Sequence, residues 1–208
     1  MKTLAIIIVA LFLASGLSAQ ENATNKEVVK TEKQKRKAAR DSAFANEYLK
    51  LKGIIDSMSF VLEADYLYNQ WGYRIWVPSE LNFIMVDSSE VVIQTGNNSG
   101  VGYNGVGGVT VEGTISGWKV KKDPKNSSFF ITMEVNSING FYTVFIDISA
   151  NGRASATLSG LRPGRLTWDG WVQPLYNTST YQGMSTVADL RHFPPAARMQ
   201  IFHRFSRF

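Results

Sequence analysis

Three short runs of alternating side chains, joined by two Asn-Gly steps between Phe129 and Ser159, constrain this chain more tightly than any other feature. Phe129, Ile131, Met133 and Val135 are apolar, while Thr132, Glu134 and Asn136 are polar. Tyr142, Val144, Ile146 and Ile148 repeat the pattern, and Ala154, Ala156 and Leu158 close it. A period of two with β-branched and aromatic enrichment belongs to half-buried antiparallel strands. Register follows, because opposed residues share a face and a one-residue slip inverts it. A two-residue type I′ loop at Asn139-Gly140 sets Ile138 against Phe141, and Val135, Met133 and Ile131 against Val144, Ile146 and Ile148. The same loop at Asn151-Gly152 would oppose Ile148 to Ser155. A three-residue loop, Ala150-Asn151-Gly152 with a left-handed Gly152, restores Ile148 to Ala154 and Val144 to Leu158. The two turns are expected to differ in type.

The pattern extends upstream and downstream. Phe60–Tyr68, Tyr73–Val77, Leu81–Val86, Glu90–Thr95, Val109–Thr114, Trp118–Lys122 and Leu166–Val172 read as further strands, with Asp87-Ser88-Ser89 and Asp123-Pro124-Lys125-Asn126 as turns. Short strands with no helices between them predict an all-β domain, an antiparallel up-and-down meander. Closure into a small barrel removes the edge strands, and a two-sheet β-sandwich is the alternative. Before it, the composition predicts a helix from about Lys26 to Met58. Phe44, Tyr48, Leu51, Ile55 and Met58 form a narrow apolar stripe on it. That stripe is expected to dock on the outward face of the central strands, where Phe130, Phe141 and Phe145 need cover; a partner-binding helix is the alternative. The organisation is thus a leader over 1–19, a basic helical lead-in over 20–58, a β domain over 59–186 and a basic extension over 187–208.

The leader has the pattern of a signal peptide: Lys2, an apolar run from Leu4 to Leu13, and small residues up to Ala19. The run is short for a transmembrane span and no second one follows, so cleavage leaves no transmembrane segment. The expected location is the periplasm or the extracellular space. The chain contains no cysteine, which removes thiol chemistry, disulfides and lipid attachment as a lipoprotein. Export in turn removes ATP-dependent and intracellular nucleic-acid roles. The net charge of +5 does not restore them, because the basic excess lies in the lead-in and the extension. The extension itself carries Pro194-Pro195, both histidines and four arginines.

From Gly96 to Gly113 glycines interrupt the strand pattern. Gly100, Gly102 and Gly105 match the G-x-G-x-x-G spacing after a predicted strand. A dinucleotide site needs a helix next, to present its N-terminus to pyrophosphate. Gly107-Gly108 and a β-branched run follow instead. Two readings stay open: a bend or bulge where the sheet turns a corner, and a mobile loop gating a ligand through Gly100, Gly102, Tyr103, Asn104 and Gly105. Tyr66, Tyr68, Trp71, Tyr73 and Trp76 cluster around one turn, as core or rim packing or as a surface that stacks on sugar rings.

Catalytic material is sparse. The only histidines, His192 and His203, stand in the extension, so histidine-based triads and metal sites lack ligands. Ten carboxylates are scattered through the β domain, and no motif selects a pair of the kind hydrolases use.

Four segments carry a family resemblance: Phe60-Val61-Leu62-Glu63-Ala64, the glycine run from Gly102-Tyr103-Asn104-Gly105 to Thr110, Gly152-Arg153-Ala154-Ser155-Ala156, and Tyr181-Gln182-Gly183-Met184-Ser185-Thr186. Together they resemble the domain of unknown function 4251 family of exported bacterial proteins, over about Ser59 to Thr186. The resemblance implies a single lipocalin-like β domain after a helical lead-in, and it supplies no activity and no catalytic residues. The expected function is a non-enzymatic binding module of the bacterial envelope, without a cofactor. It would take a small apolar or glycan ligand at a barrel mouth lined by the glycine stretch, Tyr73 and Trp76. An interaction protein acting through its basic helix is the alternative, and a two-carboxylate hydrolase ranks last.

Overall fold

The computed structural model describes residues 30–99, 102–123, 126–138, 140–160 and 164–186. The expected signal peptide, the first part of the lead-in (20–29), the basic extension with His192 and His203, and Gly100, Pro124, Lys125 and Asn139 lie outside the described residues.

Among the described residues one helix precedes nine strands. Helix α1 covers residues 30–56. The strands are β1 (Ser59–Tyr68), β2 (Arg74–Trp76), β3 (Phe83–Asp87), β4 (Glu90–Thr95), β5 (Val109–Asp123), β6 (Ser128–Ser137), β7 (Gly140–Ile148), β8 (Arg153–Gly160) and β9 (Arg165–Pro174). From β3 to β9 each strand pairs antiparallel with the next. β9 then returns to β1, from Phe60↔Pro174 to Tyr68↔Thr167. Along its other edge β1 pairs first with β3 and then, beyond Glu63, with β2. The β1–β9 seam makes this a closed barrel and not a sandwich; closure pairs the two ends of the meander, while the short β2 and the end of β5 keep one unpaired side among the described residues.

Alternate residues of the barrel strands β1 and β3–β9 fill the interior, while β2 is exposed throughout. Phe60, Leu62, Ile84, Ile131, Met133, Ile146 and Ile148 are completely buried, and Trp168 is the largest side chain among them. Burying a side chain of this size contributes about 1.5–3 kcal/mol. Trp171, three residues on, faces outward and is exposed.

The second turn forms as the sequence predicts. Gly152 is left-handed at φ +86, Ser149 N donates to Arg153 O at 2.8 Å, and Ile148 pairs with Ala154 and Val144 with Leu158. The first turn does not. Ser137 pairs with Gly140, and Met133 faces Val144 while Ile131 faces Ile146, a slip of two residues from the expected register. An even slip keeps every side chain on its face, so matching faces cannot detect it. Val109–Thr114 and Trp118–Lys122 are likewise one strand, β5, because a bulge between Ile115 and Gly117 absorbs the interruption at Ser116.

The apolar stripe of α1 does not cover the outward phenylalanines. Tyr48 stacks on Phe129 with centroids 4.9 Å apart, and Leu51 and Ile55 are buried in the barrel core. Odd-numbered residues of β6 point inward, so the stripe meets Phe129 and closes the interior where β1 begins. Phe130, Phe141 and Phe145 stay exposed, as does Phe44. The helix residues from Glu47 onward belong to the same compact unit as the barrel. Left-handed Met58, at φ +50, ends the helical run. No helix among the described residues is long and apolar enough to cross a membrane.

Candidate functional site

Two features sit at the barrel end where β1 and β4 finish: the β1–β2 hairpin and the glycine segment between β4 and β5. Asn69 builds the hairpin tip, its side-chain oxygen accepting the N–H groups of Trp71 and Tyr73 at 3.0 Å each. Such a fixed tip holds large apolar groups in water: Trp71 is 62%, Tyr73 73%, Ile75 56% and Trp76 72% exposed. Exposed apolar clusters of this kind mark interaction surfaces.

The register distributes them over two faces. Trp76 pairs with Tyr66 and Arg74 with Tyr68, so these four share the outward face, while Ile75 follows Leu67 to the other. The Arg74 guanidinium lies 4.0 Å over the Tyr66 ring. A hydrogen bond to Tyr68 further holds Arg74 protonated, above its ordinary range. Across β1, Tyr66 pairs with Asp169 of β9, whose carboxylate forms an ion pair with Arg153. The outward face of β2, β1 and β9 therefore combines aromatic rings with flanking charged donors and acceptors.

The glycine segment is built differently. Gly102, Tyr103 and Gly105 are exposed, but Asn104 is 1% exposed and its amide is fully used. Its nitrogen donates to Thr95 O and to Thr110 Oγ1, both at 3.1 Å. Its oxygen accepts Val106 N at 3.1 Å and Gly108 N at 2.9 Å. Thr110 Oγ1 in turn donates to Gln94 Oε1 at 2.8 Å.

Gln94 is the second hub. It accepts Gly183 N at 2.8 Å and donates to Tyr181 O at 2.8 Å and Leu81 O at 3.2 Å. Met184 N reaches Asn104 O at 3.0 Å and Thr186 N reaches Thr110 O at 3.0 Å, while Thr110 N donates to Thr186 Oγ1 at 2.8 Å. Residues 181–186 thus form a strap tied across the outside of β4 and β5. Asn82 fixes the adjoining corner through Pro78 O, Gly96 O and Gly96 N. No buried side-chain nitrogen or oxygen among the described residues lacks a partner. Close approach explains the glycines: a Cβ on Gly108 would overlap the Thr95 carbonyl, and one on Gly183 the Asn104 carbonyl.

Of the residues singled out in the sequence, Gly102, Tyr103, Asn104 and Gly105 form one compact loop, and Tyr73 and Trp76 stand on the hairpin; Gly100 lies outside the described residues. The segment's polar atoms face its own strap, and only its rim meets solvent. The interior behind it holds side chains. Gln94, Asn82 and Thr110 escaped the sequence reading, although a glutamine at an outward position of an apolar strand was a visible signal. Where charge states are perturbed, at Lys52, Asp56 and Arg74, the ordinary charged form is reinforced.

A family model described as "Domain of unknown function (DUF4251)" matches residues 43–172, from within α1 into β9. The crystal structure of a DUF4251 family protein from Bacteroides eggerthii DSM 20697 is similar at 27% identity and a TM-score of 0.55, covering 66% of this chain and 93% of that one. No curated protein matches.

Proposed function

This chain belongs to the DUF4251 family, and from that premise we propose that it is an exported, non-enzymatic domain that binds envelope glycans on the outward face of β1, β2 and β9. One observation carries the reading: Trp76 lies exposed beside Tyr66 on the same face, with Arg74 and Asp169 at their flanks. A pyranose ring presents C–H groups on one face and hydroxyls around its rim. The exposed indole receives the former by stacking, and the guanidinium and carboxylate exchange hydrogen bonds with the latter. Arg74 is already held against Tyr66 and Tyr68, so little rotamer freedom is lost on binding. The signal-peptide pattern at Lys2, Leu4–Leu13 and Ala19 supports export. The rim of the glycine segment, with Tyr103, extends the surface at the same barrel end.

Affinity measurements against envelope polysaccharides, with Trp76→Ala as the variant, test this. Loss of the indole should weaken binding at least about tenfold, the scale of a buried aromatic anchor, while leaving the melting transition unmoved because Trp76 is exposed. Wild-type protein that binds no glycan, or a Trp76→Ala variant that binds as tightly, would refute it.

A second reading has its own support. Residues 30–46 of α1 are exposed throughout, and Lys30, Lys33, Lys35, Arg36, Lys37 and Arg40 outnumber Glu32 and Asp41 there. Such a helix suits an anionic surface. Removing residues 20–46, which spares Leu51 and Ile55, separates the two readings: glycan binding persists in one and localisation changes in the other.

A further inference from the structure

Away from the hairpin, β5 outruns its neighbour. β4 pairs with it only between Glu90↔Thr114 and Thr95↔Val109, whereas β5 continues to Asp123 against β6 alone. Ile115 N still reaches Ser89 O at 2.7 Å; beyond it the Ile115/Gly117 bulge turns the strand away. The last turn of α1 closes the far side, where Lys122 Nζ meets Asp56 Oδ1 at 2.7 Å. Between helix end, β3–β4 turn and strand edge lies an open cleft of about 400 Å³, lined by Asp56, Ser57, Ser88, Ser89, Ser116 and Trp118 among others.

A bare strand edge invites an extended peptide, but this one is defended against it. Lys119, Lys121 and Lys122 line the unpaired half of β5, the usual guard on an edge, and the Lys122–Asp56 bridge blocks the edge seven residues beyond Ile115. A compact ligand fits better, since the volume falls at the small end of ligand pockets. Its lining is divided. Trp118, Ile115 and Met58 supply an apolar side, and serine hydroxyls with one carboxylate supply the other. Asp56 accepts Lys52 Nζ at 2.6 Å on one oxygen and Lys122 on the other. Two ammonium groups thus fix its orientation, and each oxygen keeps a lone pair for a further donor.

We propose that this cleft is a monosaccharide site, taking one pyranose ring with its C–H face on Trp118 and its hydroxyls on Asp56 and the surrounding serines. It is separate from the outward aromatic face and does not depend on glycan binding there. The test is saturation-transfer NMR with N-acetylglucosamine, galactose and mannose, each at about 10 mM, since a ligand of this size binds in the millimolar range. All measurements use a Trp76→Ala background, so that the hairpin contributes nothing. At least one sugar should receive saturation. Asp56→Asn, which deletes the charge, and Ser116→Leu, which fills the cleft, should each weaken that binding at least about tenfold, with Tyr176→Ala as an unaffected surface control. Thermal melts verify that each variant is folded. No transfer to any of the three sugars, or transfer unchanged in both cleft variants, overturns the proposal.

Discussion

Asn104 offers the sharpest test of what the glycine segment is for. Its side chain makes four hydrogen bonds, of which those to Thr110 Oγ1 and from Val106 N are fully buried. In Asn104→Ala the Val106 N–H is left orphaned, at a cost of about 1–3 kcal/mol, while Thr110 Oγ1 keeps its bond to Gln94 and loses one ordinary hydrogen bond, about 1 kcal/mol. The two partly buried bonds, to Thr95 O and from Gly108 N, can be taken over by water and add little. The expected loss is about 3 kcal/mol, a large share of the 5–15 kcal/mol typical of a whole domain. It corresponds to a fall of about 10 °C in Tm.

Asn104→Asp refines the test at constant shape. The retained oxygen still accepts Val106 and Gly108, but the new one faces the Thr95 carbonyl and a Thr110 hydroxyl whose proton is committed to Gln94. Burial and two facing acceptors raise the folded-state pKa of the introduced carboxyl. A raised folded value means the stabilisation is complete below the unfolded value of about 4 and is lost as pH rises through the folded one. Urea unfolding followed by Trp168 fluorescence reports both effects, because that buried indole donates to Gln94 O at 3.2 Å. An Asn104→Ala loss below about 1 kcal/mol, or an Asn104→Asp stability flat from about pH 4 to 8, would refute the assignment of Asn104 as structural cement.

Three further outcomes follow from geometry. Gly170→Ala places a Cβ on the Glu63 carbonyl across the seam and should cost at least about 3 kcal/mol by denaturant melting, whereas Gly160→Ala, near a movable Tyr142 ring, should cost less. At Gly152, φ +86, replacement by Ala should lose about 1 kcal/mol and by Asn less, since Asn tolerates the left-handed region; equal losses would contradict the turn. Hydrogen bonds from Lys122 and then Lys52 hold the Asp56 carboxyl below its ordinary 3.8. Its contribution is present above that value and disappears as pH falls through the lower folded one. NMR titration should show the carboxyl rising in Lys122→Met, with an effect on stability well under about 1 kcal/mol because the pair is exposed and screened.

Much of the fold was legible because side-chain alternation encodes faces directly. Gly152 and the pairing of Ile148 with Ala154 followed from parity alone. What parity cannot see is an even slip, hence the two-residue displacement between β6 and β7, or a bulge, hence one β5 in place of two strands. The helix stripe was legible as apolar, but its destination was not: Leu51 and Ile55 are equally suited to a sheet face and to a barrel end, and only closure creates the end. The site was less legible. Tyr66, Tyr73 and Trp76 stood out as aromatics around one turn, yet Asp169 joins their face from β9, about a hundred residues further along the chain. Asn104 stood out as part of a glycine loop, while the strap over residues 181–186 that bonds it and Gln94 has no local signal in the sequence.

The seam between β1 and β9 has a consequence for how the chain becomes this structure. A ring of strands has no partial solution, since β1 lacks one neighbour until Arg165–Pro174 has been synthesised. Closing so long a loop costs entropy before any ladder is gained, and folding dominated by such distant contacts is slow. A chain emerging N-terminus first therefore stays open until β9 has been made. Only afterwards does the strap reach Gln94 and Asn104 and latch the finished ring. Late closure of this kind leaves a polypeptide threadable for as long as it is still being made.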